Sequence, residues 1–107
     1  MDFSSRLIDT YERLTDLRDI AILKSFYMGG RNADQLGYWC PSLLYKELKT
    51  KKKINNISYS RFWHIVDNFA KRGLIQKIEK SNPSIYEPIP DLVGIIREMI
   101  ISKLKRW

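Results

Sequence analysis

The segment SYSRFWHIVDNFAKRGLI, residues 58–75, carries a dense set of side chains that can form hydrogen bonds and ion pairs. Its large apolar residues recur at the spacing of one helix face, which predicts an amphipathic helix closed by Gly73. The opposite face would bring hydroxyl, guanidinium, imidazole, carboxylate, amide and ammonium groups together. Those groups belong to Ser60, Arg61, His64, Asp67, Asn68 and Lys71.

Positive charge is concentrated in one part of the chain, residues 46–77. This segment holds nine basic residues against two acidic ones, a difference of +7. The whole chain has 19 basic and 12 acidic residues, which is also +7, so the remainder is balanced. A basic segment in an otherwise neutral chain is typical of a phosphate-binding surface, whose affinity comes from released counterions. A solvated lysine-rich loop is the alternative, but the position beside residues 58–75 favours nucleic acid.

The elements around this helix are predicted from apolar spacing and from residues that start or stop helices. Asp16, Pro41 and Ser58 suit helix N-termini, and Gly73 suits a helix end. The fold class is therefore mainly α-helical with a small β-hairpin. Helices are predicted over 4–15, 16–28, 41–50, 58–72 and 91–107, and strands over 74–80 and 84–90.

A single domain is expected for a chain of 107 residues. A short helix, a turn, a longer helix and a hairpin make a winged helix-turn-helix, which we expect over 16–90. An extra helix precedes it within 1–15, and a C-terminal helix follows at 91–107. In helix-turn-helix proteins the second helix of the pair lies in the major groove. The polar face of 58–72 is therefore expected to contact DNA.

A further pattern runs through the predicted helix and hairpin without a gap: a serine cap, an apolar–aromatic pair, paired apolar residues and a Gly-Leu-Ile exit. These residues are Ser58, Phe62, Trp63, Ile65, Val66, Phe69 and RGLI at 72–75, with Tyr86 after the hairpin turn. The pattern resembles the PadR-like winged helix-turn-helix regulators, over residues 17–90. The chain departs from that family in LGYWCPSLL, in the longer loop KTKKKINNI and in a short hairpin without arginine. The resemblance implies a homodimer that binds palindromic operators.

The candidates for contacting DNA fall into groups by position. The loop lysines suit the phosphate backbone, and residues at the helix N-terminus suit phosphate together with free backbone N–H groups. Arginine or lysine can also donate to guanine, and His64 and Asn68 can contact other base edges. Solvated surface is the alternative for these residues. The candidates are Lys49, Lys51, Lys52, Lys53, Tyr59, Ser60, Arg61, His64, Asn68, Lys71, Lys77, Lys80 and Asn82.

The C-terminal helix, 91–107, is apolar over about half of its circumference. A helix that covers one small core needs a stripe of roughly 100°. The excess favours a partner helix from a second copy in a twofold dimer. The alternative is that this helix folds back on its own core. The predicted dimer residues are Leu92, Val93, Ile96, Met99, Ile100 and Leu104.

Enzymatic and metal-dependent functions are not expected. The chain has one cysteine, Cys40, and one histidine, His64, so neither a disulfide nor a metal site is predicted, and no cofactor is implied. Ser60, His64 and Asp67 share one exposed helix face, which does not suit a preorganised catalytic triad. No apolar run is long enough to span a membrane, and the N-terminus does not resemble a signal peptide. We expect a cytoplasmic, nucleoid-associated protein.

These observations favour a homodimeric protein that binds double-stranded DNA, most simply a transcriptional regulator. One alternative is an architectural or partition protein that spreads along DNA, with assembly beyond the dimer. A second alternative, from another class, is a winged-helix protein-interaction module that does not bind DNA. The charge concentrated in residues 46–77 argues against the module.

Overall fold

The computed structural model describes residues 9, 12–14, 16–28, 38–78 and 84–105. Within these ranges the chain forms four α-helices and one antiparallel hairpin, so the predicted mainly helical fold class is confirmed. A 3-10 turn over Pro90–Leu92 leads directly into the last helix. The elements are α1 (Leu17–Tyr27), α2 (Pro41–Thr50), α3 (Tyr59–Lys71), β1 (Ile75–Lys77), β2 (Tyr86–Pro88) and α4 (Val93–Leu104).

The helix starts follow the local signals in the sequence. The Asp16 side chain accepts a hydrogen bond of 2.8 Å from the Arg18 backbone N–H at the start of α1. Ser58 accepts one of 3.1 Å from Arg61 at the start of α3. Such N-caps satisfy backbone donors that have no partner within the helix. The helix predicted over 91–107 instead begins at Val93, because Asp91 lies in the 3-10 turn, and no side chain caps α4.

The predicted N-terminal helix over 4–15 lies mostly outside the described residues. Asp9, Glu12 and Arg13 are in helical conformation, and Leu14 is buried in the core. The segment is held to the rest of the chain by an ion pair of 2.5 Å between Asp9 and the guanidinium of Arg72. This part of the chain therefore packs beside the C-terminal end of α3.

Two helices end with the same Schellman arrangement of backbone hydrogen bonds. After α3, Gly73 has φ 75° and the Leu74 N–H donates to the Phe69 carbonyl at 3.0 Å. After α2, Lys52 has φ 57° and the Lys53 N–H donates to the Leu48 carbonyl at 2.9 Å. Glycine usually occupies the left-handed position of this motif, because other residues place Cβ against the backbone. Lys52 therefore holds a conformation that costs free energy.

The apolar core draws on every helix and on the loop between α2 and α3. In that loop Ile54 and Ile57 are buried on either side of Asn56, which has φ 61°. Tyr27, at the end of α1, is buried and links three parts of the chain. Its hydroxyl donates to the Leu74 carbonyl and accepts a hydrogen bond of 3.0 Å from the Ile89 N–H. Burial raises the pKa of Tyr27 to about 12.

The hairpin pairs Ile75 with Pro88 and Lys77 with Tyr86 in antiparallel register. Tyr86 also exchanges two backbone hydrogen bonds, 3.0 and 2.9 Å long, with Trp39, just before α2. The Tyr86 ring contacts the Trp63 ring edge to face, with centroids 6.0 Å apart. The hairpin is thereby fixed against the flank of α3.

The structure corrects the predicted dimer interface. Leu92, Ile96, Met99 and Ile100 are buried in the core of their own chain, because α4 packs against α1 and closes the core from one side. Val93 is half-buried and also packs against that core. Within the described part of α4, three large apolar residues do face outward. They are Ile95, Ile101 and Leu104, of which only Leu104 belonged to the predicted interface.

Candidate nucleic-acid interface

The amphipathic pattern of α3 separates a buried face from a polar one, as predicted. Phe62, Val66 and Phe69 point into the core. The opposite side is exposed and carries five of the candidate DNA contacts together. They are Ser60, Arg61, His64, Asn68 and Lys71.

A shallow, open groove of about 350 Å³ runs along this polar face, between α3 and the first turn of α1. It brings together four residues predicted from the sequence and adds two carboxylates, Asp19 from α1 and Asp67 from α3 itself. The groove therefore offers hydrogen-bond donors and acceptors rather than positive charge alone. Its lining is Asp19, Arg61, His64, Ile65, Asp67, Asn68 and Lys71.

The two carboxylates differ in their surroundings. Burial raises the pKa of Asp19, and the nearby Asp16 carboxylate raises it further, while Arg61 acts in the opposite direction. Asp67 instead forms an ion pair with Lys71, with Oδ2 and Nζ 3.1 Å apart. Asp19 was not predicted from the sequence, because only the tertiary fold brings the first turn of α1 to the groove beside α3. The one-turn spacing of Asp67 and Lys71 was visible in the sequence.

The lysine-rich loop lies at the C-terminal end of α2 and leads into the start of α3. Lys51, Lys52 and Lys53 are exposed, and Lys51 forms an ion pair of 2.7 Å with Glu47. Lys52 and Lys53 pair with no acidic group among the described residues, and the same is true of Lys46 on α2. These three ammonium groups are available to a phosphate.

Aromatic contacts join α2 to the N-terminal part of α3. The Lys49 ammonium lies 5.3 Å from the centre of the Tyr45 ring, within the range of a cation–π contact. Tyr45 packs edge to face against Tyr59 and donates a hydrogen bond of 2.6 Å to the Ile57 carbonyl. The Tyr59 hydroxyl accepts one of 2.7 Å from Trp63. Lys49 and Tyr59 are thus held beside the polar face of α3.

The structure also shows that one basic residue of segment 46–77 is not available at the surface. Arg72 has a side chain only 19% exposed and is paired with Asp9. The hydrogen bond from Arg72 lowers the pKa of the Asp9 carboxyl, with Arg13 acting in the same direction. Arg72 therefore stabilises the packing of the N-terminal segment and adds nothing to the surface around α3. Lys51 and Lys71 remain exposed although each has an acidic partner.

One of the three predicted hairpin contacts lies among the described residues. Lys77 is exposed on β1. Lys80 and Asn82 lie outside the described residues, so their predicted contacts are untested. The neighbouring Gln76 donates a hydrogen bond of 2.7 Å to Glu87 across the hairpin. An acidic residue is therefore part of this edge.

Other kinds of site find little support in the described ranges. No group of three or more His, Cys, Asp or Glu residues that could hold a metal occurs there. Cys40 is half-buried, and a 3.2 Å hydrogen bond with Ser42 lowers the pKa of its thiol. No helix of the described chain has the length and apolar character needed to cross a membrane.

Comparisons with known proteins found no relative of this chain. No family model matches the chain, no curated protein is similar to it, and no solved structure is similar to it. The resemblance to PadR-like regulators therefore stays a prediction from the residues quoted above.

Proposed function

We propose that this protein binds double-stranded DNA as a winged helix-turn-helix regulator, with α3 in the major groove. One observation carries the proposal: α3 presents five exposed polar side chains on the side opposite the core, next to a basic loop. An α-helix with such a face fits the width of the major groove, where base edges offer donors and acceptors. The lysines of the adjoining loop suit the flanking phosphates.

The order of elements supports this interpretation. Helix α1, the bridged segment at Trp39, α2, α3 and the hairpin follow one another as they do in a winged helix-turn-helix. Tyr45 joins α2 to α3, and the contact between Trp63 and Tyr86 sets the hairpin beside α3. The hairpin would then lie next to the groove that α3 enters and reach the adjacent backbone through Lys77.

We also propose that the protein acts as a homodimer on a palindromic site. Two large apolar side chains, Ile101 and Leu104, are exposed on the described part of α4 and lie about 60° apart around the helix. They support a twofold contact between two copies of α4, in place of the buried residues predicted from the sequence. A twofold dimer would present two copies of α3 to successive major grooves.

DNase I footprinting tests this function on DNA from the region upstream of the protein's own gene. The protein is titrated at two salt concentrations, because phosphate contacts weaken steeply as salt rises. A protected palindrome of constant length is the expected result. Protection that starts at one site and extends outward would favour a spreading partition or architectural protein instead. Absence of protection at low salt would contradict both DNA-binding functions, the regulator and the spreading protein. It would favour a protein-interaction module that does not bind DNA.

A further inference from the structure

The ion pair between Asp67 and Lys71 lies within the face of α3 that is proposed to enter the major groove. At 100° per residue, Lys71 lies within about 20° of both Ser60 and His64 around the helix. These residues are opposite the buried face formed by Phe62 and its neighbours. The pair also belongs to the lining of the open groove along α3. Its two charges are therefore presented at the point where base edges would lie.

A purely structural role explains this pair poorly. The Lys71 side chain is 74% exposed and that of Asp67 is 45% exposed. Exposed ion pairs one helical turn apart contribute little to stability, because water and salt screen them. A carboxylate on a DNA-contacting face also repels phosphates, so it weakens general affinity. Asp67 is thus an acidic residue without an evident benefit to folding or to general DNA binding.

We propose that Asp67 and Lys71 together recognise a G·C base pair in the major groove, an inference that rests on the proposed function. Cytosine presents its N4 amino group there as a donor, and guanine presents O6 and N7 as acceptors. An ionised carboxylate only accepts hydrogen bonds and an ammonium only donates them. Asp67 would accept from cytosine N4 while Lys71 donates to guanine O6.

The spacing of the two groups fits this base pair. Guanine O6 and cytosine N4 are joined by a hydrogen bond of about 2.9 Å. The Asp67 and Lys71 side chains are 3.1 Å apart at their nearest charged atoms. The two side chains can therefore face the two base atoms side by side, without separating from each other and without opening the base pair.

An A·T pair fits less well, although it also places a donor beside an acceptor. The adenine amino group has the acceptor N7 next to it, and this lone pair would repel the Asp67 carboxylate. The thymine methyl group lies beside O4 and crowds an approaching ammonium. In G·C the atom beside cytosine N4 is a C–H group, and guanine N7 gives Lys71 a second acceptor. The pair is therefore expected to prefer G·C.

The chain contains a matched control for this test. Glu47 on α2 and Lys51, the residue just after that helix, form an ion pair of the same one-turn spacing, 2.7 Å long, with side chains 42% and 60% exposed. This pair lies outside the polar face of α3. Changing Glu47→Ala therefore removes an equivalent carboxylate without touching the proposed base contact.

The experiment begins with selection of preferred sites from a library of random double-stranded oligonucleotides by the wild-type protein. Fluorescence anisotropy then measures affinity for the selected duplex and for duplexes in which single G·C pairs become A·T or inosine·cytosine. One G·C to A·T change should weaken wild-type binding by roughly 10-fold or more. Inosine keeps guanine O6 and N7, so the inosine duplex should bind within about twofold of the original.

Variants of the protein then test whether Asp67 causes the preference for G·C. Asp67→Ala should lose the preference at this one position, and Glu47→Ala should keep it. Asp67→Asn should move the preference towards A·T, because an amide can contact adenine N6 and N7 together. This second variant keeps the size of the side chain, and circular dichroism checks that both variants fold.

Failure of this inference can be distinguished from failure of the proposed function. If Asp67→Ala and Asp67→Asn keep the full G·C preference of a DNA-binding wild type, the inference is wrong and the proposed function stands. If the wild type binds no duplex at low salt, the proposed function fails and the inference fails with it.

Discussion

Lys52 is a single residue that combines a strained backbone conformation with an exposed positive charge. Its left-handed backbone closes α2 as Gly73 closes α3, but a lysine pays a steric penalty there that glycine avoids. Strained residues persist where the surrounding structure holds them in place, and they are common at binding sites. Lys52 thus places a charge in the loop that precedes α3, at the expense of stability.

Lys52→Gly should raise the free energy of unfolding by about 0.5–1 kcal/mol, because glycine relieves the left-handed strain. Urea denaturation measures the change. Lys53→Gly is the matched control, since Lys53 loses the same charge without a positive φ, and it should be neutral or destabilising. Equal effects of the two substitutions would show that backbone strain at Lys52 is not significant.

Asp16 provides a pH-dependent contribution at the same scale. The hydrogen bond from Arg18 lowers the pKa of Asp16 below its usual value of 3.8. The folded state therefore favours the carboxylate, and the stability gained is present above pH 3.8 and lost as pH falls through the lowered pKa.

Asp16→Asn keeps an acceptor for the N-cap but has no carboxylate to titrate. At neutral pH the variant should be slightly less stable than the wild type. The difference should shrink as the pH falls through the lowered pKa of Asp16, because the wild-type carboxylate then becomes protonated. Thermal unfolding at several pH values measures this, and a difference that is independent of pH would contradict the linkage.

At the scale of elements, α4 shows that apolar spacing does not by itself decide what covers a helix. Its sequence is apolar over about half of its circumference, which allowed either a partner helix or the chain's own core. The structure assigns one side to the core and leaves the other outward. Leu17 on α1 and Leu43 on α2 make the same point, because both are large apolar residues within helices and both are exposed.

Adjacent isoleucines in α4 test the two faces. Ile100 is fully buried, whereas Ile101 is 37% exposed. Ile100→Ala should lower the free energy of unfolding by about 2–5 kcal/mol, because it leaves a cavity in the core. Ile101→Ala should change it by no more than about 0.5 kcal/mol at protein concentrations where the chain is monomeric.

Urea denaturation measures both variants, and sedimentation equilibrium measures their association. Weaker self-association of Ile101→Ala would support the proposed contact between two copies of α4. Similar destabilisation by the two substitutions would contradict the assignment of the faces.

For the whole molecule, the decisive property is where positive charge remains available once the chain has folded. Arg72 is turned to Asp9, while Lys46, Lys52 and Lys53 stay exposed without an acidic partner among the described residues. The net charge of +7 therefore says less about binding than its distribution does. The acidic groups Asp19 and Asp67 in the groove further limit general attraction to DNA.

Lys53→Gln should reduce the slope of log affinity against log salt by about 0.9, the contribution of one phosphate contact in duplex DNA. Binding should weaken by a similar factor on all sequences, since phosphate contacts carry no base information. Lys24→Gln is the control, because Lys24 is exposed about 140° around α1 from Asp19 and the groove. Anisotropy titrations at several salt concentrations give both slopes, and equal losses for the two variants would contradict a local contact.

The sequence by itself determined the features that depend on near neighbours along the chain. Caps such as Asp16 and Ser58, the glycine end of α3 and the amphipathic spacing of residues 58–72 involve contacts within one or two helical turns. Only the tertiary structure decided the features that join distant segments. In the folded chain Arg72 pairs with Asp9, Asp19 lies in the groove beside α3, and one side of α4 is buried. Those choices depend on how elements pack around a shared core, and periodicity within one element carries no information about its neighbours.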